Sequence, residues 1–171
     1  STEVKKIFEK GYETAYKKTN RQTYQAMEAF IHNLNTMHSR AGAQVPFSSV
    51  NFGTDTSPEG RMVIKNFLLA TDAGLGRNET PILPISIFKL RKGTNYEVTD
   101  PNYDLFKLAI KVSAKRLFPN FSFMDSSFNK PYYKGDYNTE VAYMGCRTRV
   151  MANVVDEDKA ITPGRGNLSF T

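Results

Sequence analysis

From residue 44 onward, strand-like and helix-like patterns alternate along the chain, and this alternation limits the folds it can adopt. Extended, apolar-rich segments occupy residues 44–53, 82–90 and 121–124, as expected of strands with buried side chains. Apolar residues at helical spacing fill the segments between them. Strand–helix–strand units in sequence favour parallel β-strands with crossover helices. The sequence therefore predicts an α/β fold.

Local signals set the expected ends of the helices. Serine and proline at 57–58 form a helix start, with serine as the cap and proline at the first helical position. This helix should run to about Ala73 and stop at Gly74. A second helix starts at Asp100 and ends before Pro119.

Residues 2–37 are predicted to be helical in two parts. The segment Thr-Asn-Arg-Gln at 19–22 has the form of a capping box, which predicts a break or kink there. Apolar residues recur at helical spacing on both sides of it, and we interpret them as core. They are Val4, Ile7, Phe8, Tyr12 and Tyr16 in the first part, and Tyr24, Met27, Ile31 and Leu34 in the second.

The C-terminal third holds a polar, tyrosine-bearing loop over 126–138, a strand over 139–144 and a possible strand over 150–155. Between those strands lies Cys146, the only cysteine of the chain. A lone thiol forms no internal disulfide and no multi-cysteine metal site. The neighbouring arginines, Arg147 and Arg149, favour a thiolate, whereas apolar burial opposes it. An inert buried cysteine is the alternative.

Composition bounds the class of protein. At 171 residues the chain is long enough for one domain. No apolar run approaches the roughly 18 residues needed to span a bilayer, and the chain does not start as a secretory signal. A cytoplasmic location is therefore expected.

The net charge of +6 suits an anionic partner, either a nucleotide or a nucleic acid. The basic residues are scattered among acidic ones, as on solvated faces. The 12 Phe and 9 Tyr residues could stack on bases. A non-catalytic module that binds nucleotides or single-stranded nucleic acid is thus an alternative to an enzyme, although nucleic acid is not the expected partner.

Polar side chains concentrate before and within the first predicted strand. They are costly to bury unless paired, so they serve either a ligand or a structural network. With two histidines and one cysteine in the chain, no metal site can be argued. The residues of this group, which are also candidate substrate contacts, are His38, Ser39, Arg40, Gln44, Ser48, Ser49 and Asn51.

Five segments, in this order, closely resemble the anaerobic ribonucleoside-triphosphate reductases, the oxygen-sensitive, glycyl-radical class of ribonucleotide reductase. Together they cover nearly the whole chain. They are AMEAFIHNLNTMHSR at 26–40, QVPFSSVNFGT at 44–54, AKRLFPNFSF at 114–123, MGCRTR at 144–149 and PGRGNLSFT at 163–171.

The resemblance implies that the chain is an internal fragment, 1–171, of a catalytic barrel domain. Residues 1–40 would be a helical lead-in. Residues 41–171 would form part of the ten-stranded α/β barrel of glycyl-radical enzymes and ribonucleotide reductases, with the cysteine loop at 143–149. The last residues alternate like a strand barely begun. We expect such a fragment to be inactive alone.

The resemblance also implies roles for particular residues. Cys146 corresponds to the thiyl-radical cysteine, and Asn167 to the active-site asparagine that hydrogen-bonds the substrate ribose. From the residues alone, Asn167 is equally a turn residue that caps its own backbone. Thr148 is a weaker candidate for holding either the loop or the sugar.

The activity implied is radical-based reduction of ribonucleoside triphosphates to 2′-deoxyribonucleoside triphosphates without oxygen. No cofactor is expected within this chain. The complete enzyme would use a glycyl radical installed by an S-adenosylmethionine-dependent activase, a C-terminal zinc site, and formate or thiols as reductant. Its expected partners are the triphosphate substrate, dNTP and ATP effectors, the activase and a second subunit of a homodimer, with no membrane.

Overall fold

The computed structural model describes residues 2–38, 41–145 and 148–150. The alternation of strands and helices predicted after residue 44 is confirmed. In chain order the elements are α1 (Thr2–Thr36), β1 (Ser49–Phe52), α2 (Pro58–Ala73), β2 (Ile85–Leu90), α3 (Tyr103–Arg116), β3 (Asn120–Phe123), 3₁₀ turns at Lys130–Tyr132 and Tyr137–Thr139, β4 (Ala142–Met144) and β5 (Thr148–Val150).

Strands β1, β2 and β3 form a parallel sheet in chain order, joined by α2 and α3. Strands β4 and β5 form a separate antiparallel pair. A parallel sheet needs a long crossover between neighbouring strands, and each helix supplies one. The predicted α/β class is confirmed.

The two faces of the parallel sheet have different partners. Phe52, Phe88 and Phe121 are in register across the three strands and pack with α2 and α3 in the main apolar core. Because side chains alternate along a strand, five polar residues lie on the opposite face: Ser49, Asn51, Lys89, Asn120 and Ser122. The β4–β5 pair contacts that face.

Helix α2 has the predicted ends. The Ser57 side chain accepts a hydrogen bond from the Gly60 N–H at 3.0 Å, and proline follows it at the first helical position. The helix stops before Gly74, whose φ of 77° is readily reached by glycine. Local signals alone therefore account for this element.

The predicted break in α1 is wrong, since a single helix passes through 19–22. Residues of the apparent capping box make other contacts. The Asn20 side chain accepts a hydrogen bond at Oδ1 from Asn66 Nδ2 of α2 at 2.8 Å, and the Thr19 carbonyl accepts one from Oγ1 of Thr23, one turn further along the helix, at 2.9 Å. Packing against α2 thus supports continuous helix at this point.

The apolar residues of α1 are core only in its C-terminal part. Ile31 is buried against Phe67 and Ala70 of α2, with Tyr24 and Met27 beside it, as predicted. In the first part the interpretation was wrong, because Val4, Ile7, Phe8, Tyr12 and Tyr16 are exposed. Helix α2 has 16 residues against 35 in α1, so it is too short to cover the whole length.

Despite its length, α1 lacks the apolar content to cross a bilayer, and so does every other helix of the described residues.

Candidate functional site

The predicted cysteine loop corresponds to the β4–β5 pair, which we call the cysteine hairpin (residues 142–150). Met144 and Thr148 face each other across it, with three residues between them in the sequence. Gly145 has a φ of 60°, in the region that favours glycine. Cys146 lies one residue further along and, with Arg147, falls outside the described residues.

Two polar side chains of β1 bind the main chain of the cysteine hairpin at residues 143 and 145. Asn51 Nδ2 donates to the Tyr143 carbonyl at 2.8 Å, and the Tyr143 N–H donates to Asn51 Oδ1 at 2.9 Å. Ser49 Oγ accepts a hydrogen bond from the Gly145 N–H at 3.1 Å. The amide and hydroxyl of β1 therefore fix the strand that leads directly to Cys146.

A second set of contacts holds the Tyr143 side chain and the other strand. Ser122 Oγ on β3 hydrogen-bonds the Tyr143 hydroxyl at 2.7 Å. Arg149 Nη1 on β5 donates to the Phe128 carbonyl at 3.2 Å and to Asn129 Oδ1 at 3.1 Å. Ser122 could have been found from strand alternation, which puts it on the hairpin face, but the sequence gives no such signal for Asn129.

The base of the hairpin carries a buried carboxylate that sequence reasoning missed. Glu140 Oε1 lies 3.3 Å from Lys89 Nζ and 3.1 Å from Arg91 Nη2, and the Thr54 hydroxyl donates to it at 3.3 Å. The sequence did carry a signal for this buried pair, because each apolar segment has a charged residue next to or inside it. Glu140 directly precedes the run 141–144, and Lys89 lies inside β2.

The electrostatics of this group follow from its burial. The side chains of Lys89 and Glu140 are 11% and 4% exposed. Burial lowers the pKa of Lys89, and the nearby negative charge of Glu140 opposes that change. Arg91 Nη2 is within ion-pair distance of Glu140 yet makes no hydrogen bond, so we interpret this contact as Coulombic. A carboxylate between two cations ties the start of the hairpin to β2.

A cleft of about 540 Å³ opens beside this charged group. It lies at the carboxyl ends of β1 and β2, where open α/β sheets commonly bind ligands. Its walls include Asn51, Thr54, Lys89, Tyr137 and Glu140. Within the described ranges, no three His, Cys, Asp or Glu side chains come together as a possible metal site.

The remaining predicted site residues lie just after α1, before β1, on β5 or outside the described residues. The Ser48 carbonyl accepts the Ile85 N–H at 2.9 Å, while Ser48 Oγ donates to the Pro46 carbonyl at 3.0 Å. His38, Gln44 and Thr148 are exposed. Asn167, Ser39 and Arg40 are outside the described residues, as are the strand residues predicted after 150.

The fold and this site define a class, an α/β protein in which a cysteine-bearing hairpin is bound to one face of a parallel sheet. The model of the anaerobic ribonucleoside-triphosphate reductase family matches residues 2–171. The chain belongs to that family.

Curated relatives support the same assignment. The chain is 35% identical over 155 residues to the anaerobic ribonucleoside-triphosphate reductase of Enterobacteria phage T4, covering 90% of this chain and 25% of that protein. It is 33% identical over 155 residues to the proteins of the same name from Salmonella typhimurium and Escherichia coli, covering 90% of the chain and 21% of each. The chain thus spans a fifth to a quarter of the length of these relatives. Family membership favours the enzyme hypothesis over the nucleic-acid-binding module.

Proposed function

We propose that this chain is part of the catalytic core of an oxidoreductase that reduces ribonucleoside triphosphates to 2′-deoxyribonucleoside triphosphates by radical chemistry in the absence of oxygen. The observation that carries the proposal is the double hydrogen bond between Asn51 and Tyr143. It fixes the main chain three residues before Cys146, in a protein that belongs to the reductase family.

The chemistry explains why such a thiol must be held firmly. The ribose C2′–OH bond is unactivated, so a sulfur radical at Cys146 first removes the 3′-hydrogen atom and becomes a thiol. The 2′-hydroxyl then leaves as water after protonation. The sugar is finally reduced at C2′ by an external reductant, formate or a thiol, and Cys146 returns the hydrogen atom to C3′. Hydrogen transfer requires close, oriented approach of sulfur and carbon.

The radical itself would come from a glycyl radical, which supplies the one-electron oxidant when the activase has installed it. The residues of this chain hold the thiol and bind the sugar. Asn167 would hydrogen-bond the ribose, because an amide can both donate and accept. The candidate substrate contacts Thr148, His38, Ser39, Arg40, Gln44 and Ser48 would line the surrounding pocket, and Ser49 and Asn51 would hold the hairpin.

The architecture we propose for the complete protein is the ten-stranded α/β barrel. Two features support it. Strands β1, β2 and β3 are parallel, with both crossover helices, α2 and α3, on one face, and the hairpin lies on the other face through Asn51 and Ser122. In a closed barrel that face would line the interior, so the hairpin would lie inside.

Other properties of the complete enzyme are proposed from its family. They are an S-adenosylmethionine-dependent activase, a C-terminal zinc site, dNTP and ATP effectors, a homodimer and a cytoplasmic location. We expect the 171-residue chain by itself to form no deoxyribonucleotide, because radical source and reductant site would lie elsewhere.

The test replaces the thiol in the complete enzyme. Cys146→Ser should abolish deoxyribonucleotide formation while the glycyl radical, followed by electron paramagnetic resonance, still accumulates. Ser126→Ala, which removes an exposed hydroxyl bonded only to a nearby carbonyl, should retain full turnover. Normal turnover by Cys146→Ser would overturn the proposed function.

A further inference from the structure

Asn129 connects the two strands of the cysteine hairpin to the parallel sheet. Its amide nitrogen donates to the Phe123 carbonyl at the end of β3 at 2.9 Å, and lies 3.5 Å from the Tyr143 hydroxyl of β4. Its amide oxygen accepts from Arg149 Nη1 of β5 at 3.1 Å. One side chain thus reaches β3, β4 and β5.

The Asn129 side chain is buried, and its main chain is held in place. The residue is 2% exposed, so an unpaired amide at this position would be costly. Its main chain is held as well, by a hydrogen bond from its N–H to the Ser126 carbonyl at 3.0 Å. The amide therefore has a fixed position from which it contacts the hairpin.

Arg149, the partner on β5, is also held in one orientation. Besides Asn129, its guanidinium donates to the Phe128 carbonyl and lies 5.3 Å and 5.8 Å from the ring centres of Phe128 and Tyr132. A planar guanidinium that stacks on aromatic rings while donating to an amide oxygen has little freedom left. This arrangement fixes the strand that follows Cys146.

We propose that Asn129 is a positioning residue for the thiol of Cys146. The inference rests on the proposed function. The Asn51 contact fixes β4 on the entering side, and the Asn129–Arg149 contact fixes β5 on the leaving side. With both strands held, Gly145 and Thr148, which flank the two residues between them in the sequence, have set positions relative to the sheet.

Loss of the Asn129 contact should slow the reaction strongly, because a strand can shift further than the distance error that hydrogen transfer tolerates. A slip of one residue moves a strand by about 3.3 Å, whereas a misplacement of about 1 Å can reduce the rate roughly a hundred-fold. Losing the Asn129 contact would let β5 shift while β4 stays bound to Asn51. The thiol would then approach the 3′-hydrogen less often, with triphosphate binding unchanged.

The experiment measures turnover and the isotope effect of 3′-deuterated substrate in the complete enzyme. Asn129→Ala should lower kcat by about ten-fold to a hundred-fold, change KM less than about two-fold, and increase the deuterium isotope effect as hydrogen abstraction becomes more rate-limiting. Asn129→Asp keeps an oxygen acceptor for Arg149 and should lie closer to the unsubstituted enzyme in both measurements.

A matched control separates positioning from stability. Asn102 is also fully buried, and its amide holds the carbonyls of Gly53 and Asp55 without contacting the hairpin. Asn102→Ala should lower the melting temperature and leave the isotope effect per folded molecule unchanged.

An unchanged isotope effect and kcat in Asn129→Ala would overturn the positioning role, and so would an Asn102→Ala variant with the same isotope effect as Asn129→Ala. Should Asn129→Ala fail to fold, Arg149→Met tests the same contact from β5 by the same readouts. Activity of Cys146→Ser would overturn the proposed function instead, so the two failures are distinguishable.

Discussion

The side-chain amide of Asn51 forms the pair of main-chain hydrogen bonds with Tyr143 that a neighbouring strand would ordinarily form, at 2.8 and 2.9 Å. Strand β4 therefore lies across the face of the parallel sheet instead of extending its edge. The face covered by α2 and α3 holds the main apolar core, and the other face carries the polar side chains that bind the hairpin.

Replacing Asn51 by alanine should loosen β4 locally. It would remove the acceptor of the Tyr143 N–H and leave the Tyr143 carbonyl with only the longer bond from Ser49 Oγ, at 3.4 Å, among the side-chain donors, and an unsatisfied group costs about 1–3 kcal/mol when buried. Hydrogen exchange of the Tyr143 amide in the complete enzyme should speed up by roughly ten-fold or more. Asn33→Ala, at an exposed position of α1, is the matched control and should leave that amide unaffected, whereas equal protection in both variants would contradict the assignment.

Gly145→Ala should strain the hairpin next to Cys146. Its φ of 60° places a non-glycine residue in the left-handed region, at a cost of roughly 1–2 kcal/mol, and the new methyl carbon would lie 3.4 Å from the Phe47 ring. We expect lower turnover with little change in the melting temperature of the remaining structure. Gly76→Ala, which has open space around it and no positive φ, should retain turnover. Equal activity of the two variants would refute this prediction.

The ion pair between Lys89 and Glu140 should show strong coupling in a double-mutant cycle. Glu140→Gln leaves two buried cations facing a neutral group, and removing one partner of a buried pair costs roughly 3–5 kcal/mol. Lys89→Met alone leaves Glu140 with Arg91 at 3.1 Å, so its effect should be smaller. The combination Lys89→Met with Glu140→Gln should cost less than the sum of the single changes. Additive losses in thermal or denaturant unfolding would mean that the pair is uncoupled.

The pH dependence of stability should also report on Lys89. Burial lowers its pKa below the ordinary value of 10.5 in the folded protein, so the unfolded chain binds more protons in the alkaline range below that value. Stability contributed by this residue must therefore rise as pH increases through the folded-state pKa towards 10.5. Lys89→Met should remove this rise. The measurement is the free energy of unfolding of the unsubstituted protein and of Lys89→Met at several pH values across the alkaline range. The difference between the two proteins should change with pH. A difference that stays constant would contradict a pKa lowered by burial.

Sequence alone located the elements whose ends are set by neighbouring residues. Helix α2 begins after Ser57 and ends before Gly74 because a cap and a glycine act within a few positions of the helix. The parallel order of the strands follows from the alternation of patterns. A strand just before Cys146 was predicted by the same reasoning and corresponds to β4, while Cys146 itself lies outside the described residues.

Contacts between distant residues were not predictable in this way. The capping box at 19–22 has the right residue types, yet Asn20 hydrogen-bonds Asn66, 46 positions away. Likewise, Asn129 occurs in a polar loop whose composition gives no indication that its amide reaches Tyr143 and Arg149. In the sequence Glu140 has the appearance of a surface charge, but in the folded structure it pairs with Lys89 of β2. In each case tertiary packing decides the role of a polar side chain.

The side-chain amide of Asn51 hydrogen-bonds the main chain of residue 143, and this has a consequence for how the enzyme can be re-engineered. The alignment of the hairpin on β1 is specified by the main chain of residue 143, whereas the Tyr143 side chain binds β3 through Ser122. Hairpins of equal length from related proteins should therefore be interchangeable modules at this position when they keep the tyrosine at 143 and the arginine at 149, whose side chains bind Ser122 and Asn129. An inserted or deleted residue between 143 and 146 would displace the sulfur by a distance comparable to one strand step, about 3.3 Å, however conservative the surrounding substitutions are.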